Sequence, residues 1–297
     1  MALAPRVVVV HRHTELDALL ETHGTRGQAE FFLRSRGRTL DGVQARHDAQ
    51  QVALDEVRGA IPVDWRRGDV ERGDLHRFGF EPGDVCVVVG QDGLVANTAK
   101  YLSGQSVVGI DAEPGRNPGV LVTHTAAAAR RLLRDVAAGR AGREERPMVR
   151  AEVDDGQRID ALNEVFVGHP SHQSARYRIG AGPGGWERQS SSGLIAATGT
   201  GATGWAASIW RERHADVSLP AATDQRLAWF VREAWPSPAT GTSSTAGALL
   251  PGQALSVVVE SDALVVFGDG LEADRITATW GQTISVALSP RSLQLVV

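Results

Sequence analysis

Apolar and polar positions in the first half of the chain predict strands and helices in alternation. Three continuous apolar runs are typical of buried parallel strands: "RVVVV" at 6–10, "DVCVVV" at 84–89 and "QSVVGID" at 105–111. Residues 40–61 carry apolar side chains at helical spacing, and residues 125–139 form a second strongly helical segment. This order predicts a doubly wound, Rossmann-like α/β domain, which we place at residues 1–145.

The pattern changes near residue 146. Shorter segments with hydrophobic side chains at every second position follow, among them "LNEVFVG", "ARYRIG", "ALSVVVES", "ALVVFGDG" and "TISVALS". Gly- and Pro-rich turns separate them, which is typical of antiparallel strands. We therefore predict an all-β, sandwich-like domain at residues 146–297. One helix interrupts it, and we expect this helix to begin near Thr203.

Composition and charge narrow the class of protein. The chain has 297 residues, 42% of them hydrophobic, and a net charge of −4. A protein that binds nucleic acid through the phosphate backbone usually has a basic excess, so we expect no nucleic-acid partner. No apolar run approaches the roughly 20 residues that span a bilayer, and no leader is evident, so we expect a cytoplasmic protein without a membrane partner. Cys86 is the only cysteine and the histidines lack ligand spacing, so we predict no metal site made by protein side chains alone.

The stretch "VVVGQDG" ends a predicted strand in a turn that contains an acid. Gly90 and Gly93 allow unusual backbone angles and close approach, so backbone N–H groups of the turn could face a phosphate. We take Asp92 to be the only carboxylate of the chain in a glycine turn at a strand end. It could accept a proton from an attacking hydroxyl or hold a metal that bridges phosphates. The alternative is an ordinary turn in which Asp92 caps a helix.

The second candidate is the adjacent pair Asn163 and Glu164 in "ALNEVFVG". Neighbouring side chains of a strand face opposite ways, but at a strand entry both could reach one ligand. The amide can donate and accept hydrogen bonds, and the carboxylate can accept them from sugar hydroxyls. The alternative is a solvated strand start.

The third candidate is the loop "TGTGATGW" at 198–205, which follows the apolar segment "GLIAA" and leads into the predicted helix. Such a loop offers backbone N–H groups, hydroxyls and a helix N-terminus together, which suits a nucleotide. The alternative is a flexible linker.

In this order the three motifs resemble those of the NAD kinase superfamily, which are a Gly-Gly-Asp-Gly turn, an Asn-Glu pair and a Gly/Thr loop before a helix. The stretches "ALNEVFVGHPSHQSARYRI" and "GGWERQSSSGLIAATGTG" are more similar to the mitochondrial-type branch than to the common bacterial form. The resemblance implies an NAD kinase-like fold with an α/β N-terminal and an all-β C-terminal domain. It also implies transfer of the terminal phosphoryl group of ATP, or of another donor, to the adenosine ribose 2′-hydroxyl of NAD(H), with Mg²⁺ as cofactor.

The resemblance implies a role for each matching residue. Asp92 would be the base or metal-orienting carboxylate, in a phosphate-facing turn formed by Gly90, Gln91 and Gly93. The residues that would hold the dinucleotide are Asn163, Glu164, Thr200, Gly201 and Thr203. A homodimer or homotetramer is the expected assembly.

Five positions depart from the common family pattern. Gln91 stands where the family has its second glycine, and Leu94 replaces a threonine. Ser192 replaces the aspartate of the common bacterial form, although the mitochondrial-type branch also has Ser-Ser-Gly there. Ala202 and Trp205 replace the usual serine and tyrosine of the loop. Two alternatives to an NAD kinase therefore stay open. One is a kinase of the same fold that acts on another hydroxyl, such as that of a nucleoside or specialised metabolite. The other is a protein that binds NAD without catalysis.

Overall fold

A computed structural model of the chain describes residues 5–116, 119–181, 185–213 and 216–297. The chain divides into two compact units. One comprises Met1–Glu144 together with Gln294–Val297, and the other comprises Glu145–Leu293. Within the described ranges no helix is both long and apolar enough to cross a membrane.

The first unit is built on a parallel sheet. Its strands are β1 (Arg6–His11), β2 (Arg66–Glu71), β3 (Val85–Gly90) and β4 (Ser106–Asp111). They lie in the order β2-β1-β3-β4 and all pair in parallel. Gln294 and Leu295, near the C-terminus, extend this sheet by pairing in parallel with β4. The apolar runs that predicted β1, β3 and β4 fill the core, because strands covered on both faces need hydrophobic side chains throughout.

Five α-helices accompany this sheet within the described part of the chain. They are α1 (Glu15–His23), α2 (Arg26–Arg34), α3 (Leu40–Ala60), α4 (Asp92–Ala99) and α5 (Ala129–Ala137). The predicted helices at 40–61 and 125–139 correspond to α3 and to α5 with a 3-10 turn before it. Helices α1 and α2 were not predicted, although Thr14 and Asp17 form a capping box at the start of α1.

In the residues that the structure describes, the second unit contains antiparallel strands and one α-helix. Its strands are β5 (Arg143–Val153), β6 (Arg158–Ala161), β7 (Glu164–Gly168), β8 (Ala175–Ala181), β9 (Glu187–Ser191), β10 (Leu194–Ala197), β11 (Leu227–Val231), β12 (Ala246–Leu249), β13 (Ala254–Val259), β14 (Ala263–Gly268), β15 (Ile276–Thr279) and β16 (Thr283–Val296). One sheet has the order β12-β11-β10-β7-β14-β15. The other contains β16-β13-β8-β9, with β5 beside β16 and β6 beside β5.

Alternating side chains of both sheets form one core in this unit. Tyr177 and Ile179 of β8 belong to the same buried cluster as Val165 and Val167 of β7. The period-two pattern of the sequence follows from this arrangement, because each strand turns one face inward. The helix α6 (Trp205–Arg213) begins two residues later than predicted, since Gly201–Thr203 form a 3-10 turn before it.

Candidate functional site

Three loops of the first unit meet at the carboxyl edge of its parallel sheet. Arg12 follows β1, the Gly90–Gly93 turn links β3 to α4, and Asp111 ends β4. Strand β1 lies between β2 and β3, so the strand order reverses there. Ligands of open α/β sheets commonly bind outside the carboxyl ends of strands at such a reversal.

A cavity of about 370 Å³ opens at this edge, within the range of small-molecule sites. All four residues of the predicted turn, Gly90, Gln91, Asp92 and Gly93, line it. The rest of the lining comes from α3 and from the loops after β1 and β4, namely Arg12, Gln50, Asp111, Ala112, Glu113, Gly119 and Val122. The cavity thus presents three carboxylates and one guanidinium group.

The carboxylate of Asp92 is held by three consecutive backbone N–H groups. Val120 donates to Oδ2 at 2.7 Å, and Leu121 and Val122 each donate to Oδ1 at 3.0 Å. A side chain at Gly119 would overlap this carboxylate, so glycine lets the loop approach it. Asp92 is the first residue of α4, whose N-cap is Gln91, and no side chain caps this helix. The carboxylate therefore holds a neighbouring loop and does not cap its own helix.

The two glycines of the turn differ in backbone conformation. Gly90 has φ of 156°, which residues with side chains rarely adopt. Gly93, in contrast, lies in the first turn of α4 without a positive φ, and a Cβ there would meet no atom of another part of the described chain within 4 Å. Gln91 is exposed, and its Oε1 accepts a hydrogen bond from Arg12 Nη2 at 3.3 Å. The side chain that departs from the family pattern thus contacts the guanidinium group of the cavity.

In the second unit, the Asn-Glu pair and the Gly/Thr loop lie in direct contact. Thr198 N–H donates to the Asn163 carbonyl at 2.9 Å, and Thr198 Oγ1 donates to the Leu162 carbonyl at 2.6 Å. A side chain at Gly201 would overlap the Asn163 carbonyl oxygen. Glu164 is the first residue of β7, so the pair stands at a strand entry, as predicted.

Hydroxyl groups fix the shape of this loop. Thr198 Oγ1 accepts from the N–H groups of Thr200 and Gly201, each at 3.2 Å, and Thr203 Oγ1 donates to the Thr200 carbonyl at 3.1 Å. These bonds exclude a loose linker. Thr200 itself is 3% exposed, and its Oγ1 has no hydrogen-bond partner among the described residues. An unpaired buried hydroxyl is costly, which makes Thr200 a candidate ligand contact.

Asp269 is a residue of this site that sequence reasoning missed. Its carboxylate accepts hydrogen bonds from Leu162 N–H at 3.0 Å and Asn163 N–H at 2.7 Å, and its own N–H donates to the Glu164 carbonyl at 3.0 Å. Its φ of 53° is unusual for a residue other than glycine. It sits in the turn "GDG" after β14, so the expectation that Asp92 is the only acid in a strand-end glycine turn was wrong.

The environment of Glu164 alters its acidity. Burial, and secondarily the negative charge of Asp269, raise the pKa of Glu164 to about 7. A carboxyl group with this pKa exchanges its proton near neutrality, which is a frequent property of functional sites.

The predicted site residues thus form two groups, one in each unit. Among the described residues there is no cluster of three or more His, Cys, Asp or Glu that could hold a metal ion.

Comparison with known proteins gives similarity over part of the chain. No protein-family model matches the chain. Over 54 residues, 18% of its length, the chain is 46% identical to "NAD kinase 2, mitochondrial" of Rattus norvegicus and equally to the human protein of that name. The matched segment covers 13% of the rat protein and 12% of the human protein. A segment of the chain is therefore similar to an NAD kinase.

Proposed function

We propose that this chain is an NAD kinase that transfers the terminal phosphoryl group of ATP to the adenosine ribose 2′-hydroxyl of NAD(H). The observation that carries the proposal is the 46% identity over 54 residues to two proteins that are named NAD kinases. Two further observations support it. Asp92 lines a cavity at the reversal of strand order, and the Asn-Glu pair packs against the Gly/Thr loop.

The cavity of the first unit suits the phosphoryl donor. Arg12 provides a positive charge, and the first N–H groups of α4 have no acceptor within the helix. Three N–H groups fix the orientation of the Asp92 carboxylate, which can accept further hydrogen bonds through its remaining lone pairs. In the reaction the ribose oxygen forms a bond to the terminal phosphorus as the bond to the bridging oxygen breaks. The hydroxyl proton passes to Asp92 or to water.

The second unit offers groups that suit the acceptor. Asn163 can donate and accept hydrogen bonds at a base or ribose, and ionised Glu164 can accept them from sugar hydroxyls. The Thr200 hydroxyl would gain a partner from a bound dinucleotide. Asp269 is a positioning residue, because it holds the backbone N–H groups of Leu162 and Asn163.

Magnesium fits the donor cavity only as a partner of the triphosphate. Mg²⁺ in kinases is usually held by one or two carboxylates together with substrate phosphates. Asp111 and Glu113 line the same cavity as Asp92 and could supply such oxygens. When bound, the ion would neutralise charge on the transferred group.

Incubation of the purified chain with NAD, ATP and Mg²⁺, followed by an NADP-specific assay, tests the proposal. We expect NADP to form. Absence of NADP with ATP, other triphosphates and polyphosphate would overturn it. Signal from labelled ATP with other hydroxyl compounds, but not with NAD or NADH, would instead identify a kinase of different specificity.

One contact favours a second candidate, a protein that binds NAD without phosphoryl transfer. The Gln91 side chain lines the proposed donor cavity and contacts Arg12. If Gln91 blocks the donor, the Q91G variant gains NADP formation that the wild type lacks, while both bind NAD equally in calorimetry. If the chain is a kinase, the wild type already forms NADP, and Q91G changes the KM for ATP but not the KM for NAD.

A further inference from the structure

The second unit contains a second cavity, of about 300 Å³, that the proposed reaction does not use. Cationic, imidazole and hydroxyl side chains line it, among them Arg232, His169, His172, Ser171, Ser174 and Ser192. The described residues that line it include no carboxylate. A concave site with this chemistry suits an anion.

Aromatic rings position the guanidinium group of this cavity. Arg232 Cζ lies 5.2 Å from the ring centroid of Trp205, within the range of a cation–π contact. The Trp205 ring stacks on Phe166, with centroids 5.7 Å apart and planes 17° apart. Side chains at Gly168 or Gly193 would overlap the Phe166 ring, so these glycines make room for it. The stack holds Arg232 at the cavity wall before any ligand binds.

Backbone hydrogen bonds fix Ser192 beside Arg232. The Ser192 N–H donates to the Arg232 carbonyl at 3.0 Å, and the Arg232 N–H donates to the Gly193 carbonyl at 2.7 Å. Gly193 has φ of 102°, a value that favours glycine. A hydroxyl and a guanidinium group are therefore presented together by a fixed backbone.

A hydrogen bond also fixes the orientation of the His169 ring in this cavity. His169 Nδ1 accepts a hydrogen bond from the Ser171 backbone N–H at 3.1 Å. This leaves Nε2 as the N–H donor of the neutral imidazole. The Glu233 carboxylate competes with an incoming anion for the guanidinium group of Arg232. The two side chains are 3.6 Å apart, but the Glu233 side chain is 61% exposed. An exposed ion pair of this kind is weak, so it leaves Arg232 able to bind an incoming anion.

We propose that this cavity binds a phosphate group, either as free phosphate or as the phosphomonoester of a small molecule. The planar guanidinium group matches phosphate oxygens with two parallel hydrogen bonds, while His169 and Ser192 can donate others. None of the residues that line this cavity is among those assigned to the proposed kinase reaction.

Calorimetric titration of the full chain with inorganic phosphate tests the proposal. We expect R232Q to weaken binding about tenfold or more, since it removes a charge-assisted hydrogen-bond donor. The control R211Q changes an exposed arginine of α6 and should leave binding intact. R12Q removes the guanidinium group from the cavity of the first unit and shows whether phosphate binds there instead. Loss of binding in R12Q but not in R232Q would overturn the proposal, as would absence of saturable binding in the wild type.

A second pair of variants tests the cavity without changing Arg232. Ser192 is exposed, so S192D and S192N should both fold. S192D places a carboxylate in the cavity and should abolish phosphate binding, whereas S192N should retain most of it. Equal binding by the two variants would contradict the proposed location.

Titration of the wild type with methyl phosphate distinguishes a phosphomonoester ligand from free phosphate. If methyl phosphate binds as tightly as inorganic phosphate, the ligand is a phosphomonoester. If inorganic phosphate binds and methyl phosphate does not, the ligand is free phosphate.

Discussion

At the scale of single residues, Asp92 combines a proposed chemical role with an evident structural one. Its carboxylate accepts three backbone N–H groups, so replacing it tests more than proton transfer. In D92N one of the two carboxylate oxygens becomes an amide NH2 group. This group cannot accept the hydrogen bond from the backbone N–H that it would face. We expect D92N to lower the free energy of unfolding by about 1–2 kcal/mol, measured by denaturant unfolding.

Because D92N is expected to be less stable, its activity must be compared with that of a variant that disturbs the same loop. G119A should disturb the same loop while it keeps the carboxylate, because the added methyl group would overlap Asp92. If Asp92 acts on the reacting hydroxyl, D92N should lose far more NADP formation than G119A at comparable stability. Equal losses in the two variants would leave Asp92 with a purely structural role.

At the scale of elements, continuous apolar runs identified β1, β3 and β4, and helical spacing identified α3, because these patterns follow from burial alone. The start of α1 is marked in the sequence by the capping residues Thr14 and Asp17, so this helix is predictable as well. Asp269 was harder to predict, since it lies 105 positions after Glu164 by their residue numbers. Only the antiparallel register of β7 and β14, which pairs Val165 with Gly268, brings the two acids together.

The contact between the Gly/Thr loop and the start of β7 gives a prediction for an element. In G201A the new methyl group would overlap the Asn163 carbonyl oxygen, so loop or strand must shift. We expect a loss of about 1–3 kcal/mol in the free energy of unfolding and weaker NAD binding by calorimetry. G59A is the control, because Gly59 lies in α3 and the added methyl group would meet no atom of another part of the described chain within 4 Å. Unchanged NAD binding in G201A would argue against a role of this loop in holding the dinucleotide.

At the scale of the whole molecule, the raised pKa of Glu164 links proton binding to folding. Its pKa is about 7 in the folded chain, against an ordinary value of 4.5. The folded state therefore binds the proton more tightly than the unfolded state does. The stabilisation from this proton is complete below about pH 4.5 and is lost as the pH rises to about 7. Carboxyl groups with lowered pKa, such as Asp160, act in the opposite direction and at lower pH.

The E164Q variant isolates this effect, since glutamine does not titrate in this range. We expect the wild type to lose up to about 3 kcal/mol relative to E164Q between pH 4.5 and pH 7, measured by urea unfolding at several pH values. E152Q, at an exposed position of β5, should follow the wild type. If Glu164 also binds ribose hydroxyls as a carboxylate, NAD affinity should rise over the same interval in the wild type and stay flat in E164Q. Parallel stability profiles for the wild type and E164Q would show that burial beside Asp269 does not hold the proton on Glu164.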